Sequence, residues 1–238
     1  ISVFGASNEV PSDDMLRAFD DRFILREIIQ DIGDDAAFVH MLTAKSQPPQ
    51  AFLSLQDIEA AQQEVQAVKG TNELLQGVIE LRHKVAEQGI YVSPRRWKHA
   101  LTLIKAHTWL DGLGETTIED MAVLAHCLWT DPKERKTVER LVYTMACPLH
   151  LRALEIEDNA AELANSLPKE EDATFTAASE NALQSVTDMY NLLHDEIVRS
   201  HARDLTRAKQ SLDRVEQIHK KIGRAVFARN TRFALSQT

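Results

Sequence analysis

The chain has 238 residues, of which 44% are hydrophobic and 26% are charged, and its formal net charge is −9. This length and composition allow one or two domains with a hydrophobic core, while the negative charge argues against a nucleic-acid partner. Aromatic residues make up only 6%, and the 8 glycines and 7 prolines are few, which favours a mainly α protein. No apolar run approaches the ~18 residues that a membrane span requires.

Cysteines and histidines are the residues to examine for a metal or redox site. Cys127 and Cys147 are far apart in sequence and match no metal-binding spacing. Two thiols in a helical protein are typical of a reducing compartment, so we expect a cytoplasmic location with both side chains packed. The histidines form no H-x-x-x-H pair, and the sequence therefore predicts no metal site.

In residues 1–33, apolar runs alternate with polar segments. An apolar run at 1–4 opens into a turn at Gly5 and then presents Asn8. A short acidic helix is expected next, followed by Asp21-Arg22-Phe23 and a second apolar run at 24–29. This order predicts a strand, a polar tip, a helix, an arginine and a second strand.

A series of helices is predicted over residues 34–145, because capping residues recur at helical spacing. Helix starts are predicted at Ser54, Thr71, Ser93 with Pro94, Thr117 and Asp131 with Pro132. Stops are predicted at Gly89 and at Asp111-Gly112, where glycine suits the residue after a helix. The loop S-Q-P-P-Q at 46–50 cannot continue a helix.

The last part of the chain changes in character. Residues 146–178 are rich in Asp and Glu and predict an acidic connector. Residues 179–238 predict a long helical, coiled-coil segment whose heptad pattern is displaced near His201, as in a four-residue stutter. A continuous helix of ~50 residues would be ~75 Å long and would have to bury its apolar stripe against another helix, in the same chain or in a partner. Its basic C-terminal end would remain free to meet an acidic partner or an acidic part of the ring.

Five separated motifs occur in the order found in one ATPase family. They are G-A-S-N-E at 5–9, D-D-R-F at 20–23, S-P-R-R-W at 93–97, D-G at 111–112 and L-A-H-C-L-W-T-D-P at 124–132. In this order they resemble the MoxR family of AAA+ ATPases, most closely its RavA-like branch. The resemblance covers residues 1–145 and implies the end of an αβα AAA+ core with two short strands at 1–33, followed by a helical lid bundle at 34–145.

The first half of such a core is not recognisable in the sequence. A phosphate-binding loop requires G-x-x-x-x-G-K-[ST], and no glycine in this sequence precedes a lysine. We therefore interpret the chain as the C-terminal part of a larger ATPase. ATP or ADP with Mg would then be bound mainly by the preceding half, and this chain alone is expected to be inactive.

The resemblance also implies roles for four residues. Asn8 matches the sensor-1 position, Arg22 the arginine finger and Arg95 the sensor-2 arginine, with Arg96 as the alternative to Arg95. An amide orients the attacking water, and guanidinium groups stabilise charge on the γ-phosphate. From the residues alone, Asn8 could instead cap a helix, Arg22 could pair with a neighbouring aspartate, and Arg95 could be a surface arginine of the lid.

Two functions are therefore compatible with the sequence. The resemblance implies an ATP-dependent, chaperone-like remodelling ATPase that assembles into a ring, expected to be a hexamer, and that works with a von Willebrand factor A-domain partner. The alternative is a non-enzymatic helical adaptor that binds through residues 179–238. A phosphate-binding loop upstream in the same reading frame would discriminate between them.

Overall fold

The computed structural model describes residues 3–8, 21–29, 31–32, 35–45, 51–169 and 172–235, with side chains described as far as residue 228. The mainly α class is confirmed, since helices account for most of these residues. The chain divides into two compact units, with the boundary between Val142 and Tyr143. Among the residues described, no helix combines the length and apolarity needed to cross a bilayer.

The first unit contains five α-helices and two 3₁₀ segments within its described residues, the last helix continuing across the boundary. They are α1 Asp35–Thr43, α2 Leu55–Ala67, α3 Asn72–Glu87, α4 Pro94–Leu110, the 3₁₀ segment Ile118–His126, the 3₁₀ turn Pro132–Glu134 and α5 Arg135–Ala146. The predicted caps at Ser54, Thr71 and Ser93 are confirmed, each accepting a hydrogen bond from a first-turn backbone N–H. The predicted stops are confirmed as well, because Gly89 and Gly112 both have positive φ.

The core of the first unit lies where α3 and α4 pack against the 3₁₀ segment. Its fully buried side chains include Leu74, Leu81, Ile104, Met121 and Leu124. The sequence predicted an ordinary helix after Thr117, and the structure has a 3₁₀ helix there instead.

Gly77 explains how closely α3 approaches this segment. A Cβ atom at Gly77 would lie 2.5 Å from Ile118 Cδ1 and 2.9 Å from Met121 Sδ. Any side chain at this position requires the ends of the Ile118 and Met121 side chains to shift, and glycine avoids that shift.

The two short strands predicted at the start of the chain are not found in the described residues. Residues 3–8 and 24–29 lie in neither helix nor strand. A strand is defined by backbone pairing with a neighbour, and the described part of the chain offers these two apolar runs no such neighbour. The acidic helix predicted between Asn8 and Asp21 and the loop at 46–50 lie outside the described residues.

The second unit is a bundle of three helices, α6 Pro148–Asn165, α7 Phe175–Arg199 and α8 Thr206–Leu235. All three pairs of helices are in contact. The buried side chains that they share are Ala153, Ile156, Ala160, Ala182, Val186, Leu193, Ile197, Ala208, Val215 and Ile222.

The acidic connector predicted at 146–178 was therefore wrong over most of its length. It contains α6, whose apolar positions Ala153, Ile156 and Ala160 are buried in the bundle. One of its acidic residues, Glu157, contacts α8. The Glu157 carboxylate lies 3.1 Å from Arg207 Nη2 and accepts hydrogen bonds from Ser211 Oγ at 2.8 Å and Arg214 Nη1 at 2.7 Å.

The predicted stutter near His201 was also wrong, because the chain turns back there. Helix α7 ends at Arg199 and α8 begins at Thr206. The connection has no Gly or Pro, and hydroxyl and carboxylate caps replace them: Ser200 Oγ accepts from Ala202 N–H and Asp204 Oδ1 accepts from Thr206 N–H. The displacement of the heptad pattern marks the connection between two antiparallel helices. The apolar stripes of both helices are buried within the same chain.

The buried stripe gives a stability prediction with a neighbouring control. Replacing Leu193, which is 0% exposed, by alanine leaves a cavity in the bundle, and we expect a loss of about 3 kcal/mol in its free energy of unfolding. Leu192→Ala changes a residue that is 43% exposed, and it should cost less than about 0.5 kcal/mol. Urea unfolding followed by circular dichroism measures both. Equal midpoints for the two variants would contradict the bundle.

Candidate functional site

The turn at Asp21-Arg22-Phe23 is bonded to the N-terminus of α4, the helix that carries the S-P-R-R-W motif. Asp21 Oδ2 accepts a hydrogen bond of 2.8 Å from Ser93 Oγ, and Asp21 Oδ1 lies 2.9 Å from Arg96 Nη2. Ser93 Oγ in turn accepts from Arg96 N–H at 3.1 Å, as an N-cap residue does. Two motifs that are distant in sequence therefore meet at one carboxylate.

Arg96 is the centre of this contact and is only 1% exposed. Its Nη1 donates to the Trp129 carbonyl at 2.9 Å and to Thr130 Oγ1 at 3.2 Å. A buried guanidinium is costly unless its charge and its N–H groups are satisfied. Asp21 offsets the charge and the two oxygens satisfy Nη1, whereas Nε and Nη2 have no hydrogen-bond partner among the described residues. Arg96 therefore joins three motifs as a structural residue of the first unit.

The segment that follows Phe23 lies along the L-A-H-C-L-W motif. Arg26 donates from its backbone N–H to the His126 carbonyl at 2.8 Å and from Nη1 to the Trp129 carbonyl at 2.8 Å. Glu27 lies 3.0 Å from His126 Nδ1 and 3.3 Å from Arg135 Nη2. These contacts hold the segment 24–29 in place without strand pairing.

The G-A-S-N motif approaches the same turn. Gly5 lies beside the ring of Phe23, so close that a Cβ at Gly5 would be 3.1 Å from Phe23 Cε1. Asn8, three residues further on, is exposed in a bend. The structure thus brings the neighbourhood of Asn8 towards the turn that contains Arg22.

The four predicted site residues are placed as follows. Arg22 and Arg95 are exposed and Arg96 is buried. Arg22 follows Asp21 and Arg95 precedes Arg96, so each exposed arginine is next in sequence to a member of this ion pair. An arginine on the first turn of a helix, such as Arg95, suits an anion such as a phosphate.

Cys127 lies next to this arrangement and is excluded as a nucleophile. Burial raises the pKa of its thiol to about 12, although the nearby Arg96 and Arg26 charges act in the opposite direction. The thiolate is the reactive form of cysteine, so this side chain remains a neutral packing group.

Sequence reasoning missed a cluster of metal-ligating side chains at the other end of α4. His107 Nδ1 lies 3.9 Å from Asp111 Oδ2 and 3.7 Å from Asp120 Oδ1. One potential ligand atom from each residue lies within 4.8 Å of the other two. The spacing H-x-x-x-D at 107–111 was the available signal, because residues four apart share a helix face. Asp120 comes from the 3₁₀ segment and is joined to them only by the fold.

Comparisons with known proteins agree with the helical architecture of this unit. Residues 73–142, from α3 into α5, match the AAA lid domain family. An AAA lid domain supports a relationship of the chain to the AAA+ ATPases. Arg95, Arg96 and the cluster at 107–120 fall within the matched residues, whereas Asn8 and Arg22 precede them.

Two relatives are uncharacterized proteins of Methanocaldococcus jannaschii. One is 28% identical over 168 residues, which cover 70% of this chain and 44% of the relative. The other is 27% identical over 170 residues, which cover 71% of this chain and 45% of the relative. The matched region thus spans less than half the length of either relative.

The unequal burial of the two neighbouring arginines gives a second prediction. Arg96→Ala removes a buried charge from Asp21 and from the Trp129 carbonyl, and it should lower the free energy of unfolding by about 2 to 4 kcal/mol. Arg95→Ala, at an exposed position, should change it by less than about 0.5 kcal/mol. Thermal unfolding of both variants provides the comparison, and a destabilised Arg95→Ala protein beside an unaffected Arg96→Ala protein would reverse the assignment.

Proposed function

We propose that the chain is the lid-bearing part of an AAA+ ATPase of the MoxR type, in its RavA-like branch, which couples ATP hydrolysis to the remodelling or assembly of a client protein. The observation that carries this proposal is the contact of Asp21 with Ser93 and Arg96. It ties the D-R-F turn to the first turn of a lid helix and leaves Arg22 and Arg95 exposed on either side. The AAA lid match at residues 73–142 supports the same conclusion.

In the proposed mechanism, the two exposed arginines have different roles. Arg95, on the first turn of α4, contacts the phosphates of a nucleotide bound to the same subunit. Arg22 extends to the nucleotide of a neighbouring subunit and stabilises the charge that develops on the γ-phosphate oxygens. Asn8 orients the attacking water. ATP with Mg is bound mainly by the segment that carries the phosphate-binding loop.

A connection between the neighbourhoods of these arginines is what a coupling device requires. The Asp21–Arg96 ion pair of 2.9 Å joins the residue before Arg22 to the residue after Arg95, and in the proposed mechanism a change at one arginine is passed to the other through this pair. A movement of the lid can then follow the state of the phosphate. Assembly into a ring, expected to be a hexamer, would supply Arg22 to the next subunit, and a von Willebrand factor A-domain protein is the expected partner.

The alternative of a helical adaptor loses its main argument. That argument was that the apolar stripe of the C-terminal segment could be buried against a partner protein. Leu193, Val215 and Ile222 of that stripe are buried within the three-helix bundle. The basic residues Arg207 and Arg214 of α8 are likewise engaged by Glu157 of α6.

The finger role of Arg22 can be tested in the complete polypeptide that carries this chain. Arg22→Ala should lower kcat for ATP hydrolysis by about 10³-fold or more while nucleotide binding persists, since the finger acts on the transition state. Arg82→Ala, at an exposed position of α3, is the matched control and should hydrolyse ATP normally. Wild-type kcat in the Arg22→Ala assembly would rule out the finger assignment.

The role of Arg95 is measured separately by calorimetric titration with ADP. Arg95→Ala should weaken ADP binding by at least about tenfold, because a charged hydrogen bond to phosphate is lost. The Arg82→Ala protein again serves as control. Unchanged ADP affinity of a folded Arg95→Ala protein would show that this arginine does not contact the nucleotide.

A further inference from the structure

We propose that His107, Asp111 and Asp120 form a binding site for a first-row divalent cation, with Zn²⁺ as the best match. The cluster joins the C-terminal end of α4 to the 3₁₀ segment Ile118–His126. The His107 Nδ1 atom lies 3.7 Å from Asp120 Oδ1 and 3.9 Å from Asp111 Oδ2. The proposal does not depend on the ATPase function, since it concerns a different group of side chains.

Two of the ligands are positioned by α4, and the third is positioned by the 3₁₀ segment. His107 and Asp111 are one helical turn apart, so α4 presents them on one face. Asp120 is held by the start of the 3₁₀ segment, where its Oδ2 accepts from Thr117 N–H at 2.6 Å and from Thr117 Oγ1 at 3.2 Å. These bonds fix the carboxylate and leave Oδ1 directed at His107, in the way that hydrogen bonds orient the carboxylate ligands of metal sites.

Asp120 is the buried member of the cluster. Its side chain is only 1% exposed, and a cation beside it would offset part of the cost of burying an ionised carboxylate. His107 is 26% exposed and Asp111 39% exposed, so an ion can reach the cluster from solvent. An imidazolium form of His107 is the competing source of positive charge, and a direct binding measurement separates the two.

The donor set selects the class of cation. One imidazole nitrogen and two carboxylate oxygens suit zinc, which is bound by His and Asp at about 2.0 to 2.2 Å in tetrahedral sites. Ligand atoms in such a site are about 3.3 Å apart, so the atoms of this cluster need only a small approach. Three protein ligands leave a fourth position for water. The cation would tie the Asp111-Gly112 turn to the 3₁₀ segment and stiffen the lid.

The experiment is a titration of the whole chain with Zn²⁺ alone after removal of metals by a chelator. Calorimetry should give one site per chain, and at 100 times Kd the melting temperature should rise by about 5 to 10 °C. His107→Gln and Asp111→Asn should each weaken Zn²⁺ binding by at least about tenfold. Both variants leave the Asp120–Thr117 cap intact, so folding should persist, and circular dichroism checks this.

The matched control is His194→Gln. His194 is an exposed histidine beside a single carboxylate, with Nδ1 3.8 Å from Asp195 Oδ1, and its loss should leave Zn²⁺ binding unchanged. Binding without saturation at one equivalent overturns the proposal. So does equal affinity of wild type, His107→Gln and Asp111→Asn, and the cluster is then an ion pair between an imidazolium and two carboxylates.

Discussion

The first unit is assembled around one buried positive charge, the guanidinium of Arg96. Asp21 offsets its charge, and its Nη1 group donates to the Trp129 carbonyl and to Thr130 Oγ1. Arg96 and these partners belong to three stretches of chain that are far apart in sequence. Satisfying one charge therefore brings the D-R-F turn, the start of α4 and the L-A-H-C-L-W motif into a single arrangement.

This arrangement also decides which arginines are available for ligands. Arg96 turns inward, so its neighbour Arg95 turns outward on the first turn of α4. Arg22 is exposed next to Asp21. The residue at the centre of these contacts thus differs from the residues proposed to meet phosphate, although each of those is next in sequence to a member of the Asp21–Arg96 pair.

Local features of the fold were predictable because their causes are local. Ser54 with Asp57, and Ser93 with Pro94, specify helix starts through hydrogen bonds within one turn, and Gly89 specifies a stop through its positive φ. A mainly α chain followed from these signals and from the composition.

Features that depend on distant contacts were not predictable. The choice between Arg95 and Arg96 requires the direction in which a helix faces, and the sequence leaves that open because adjacent residues differ by about 100°. Helix α6 was not predicted because its sequence is rich in acidic residues, and Glu157 meets its basic partners only when α8 folds back. The cluster of His107 with Asp120 likewise needs α4 and the 3₁₀ segment to be packed together.

Because of the close approach at Gly77, the substitutions that are acceptable at this position depend on residues that are distant in sequence. A methyl group there would force the ends of the Ile118 and Met121 side chains to shift, although alanine would favour an isolated helix by about 1 kcal/mol. A larger residue at 77 is accommodated most easily when the residue at 118 or 121 becomes smaller. Across descendants of this chain, these positions should therefore co-vary, and the spacing between α3 and the 3₁₀ segment is inherited as a property of the pair.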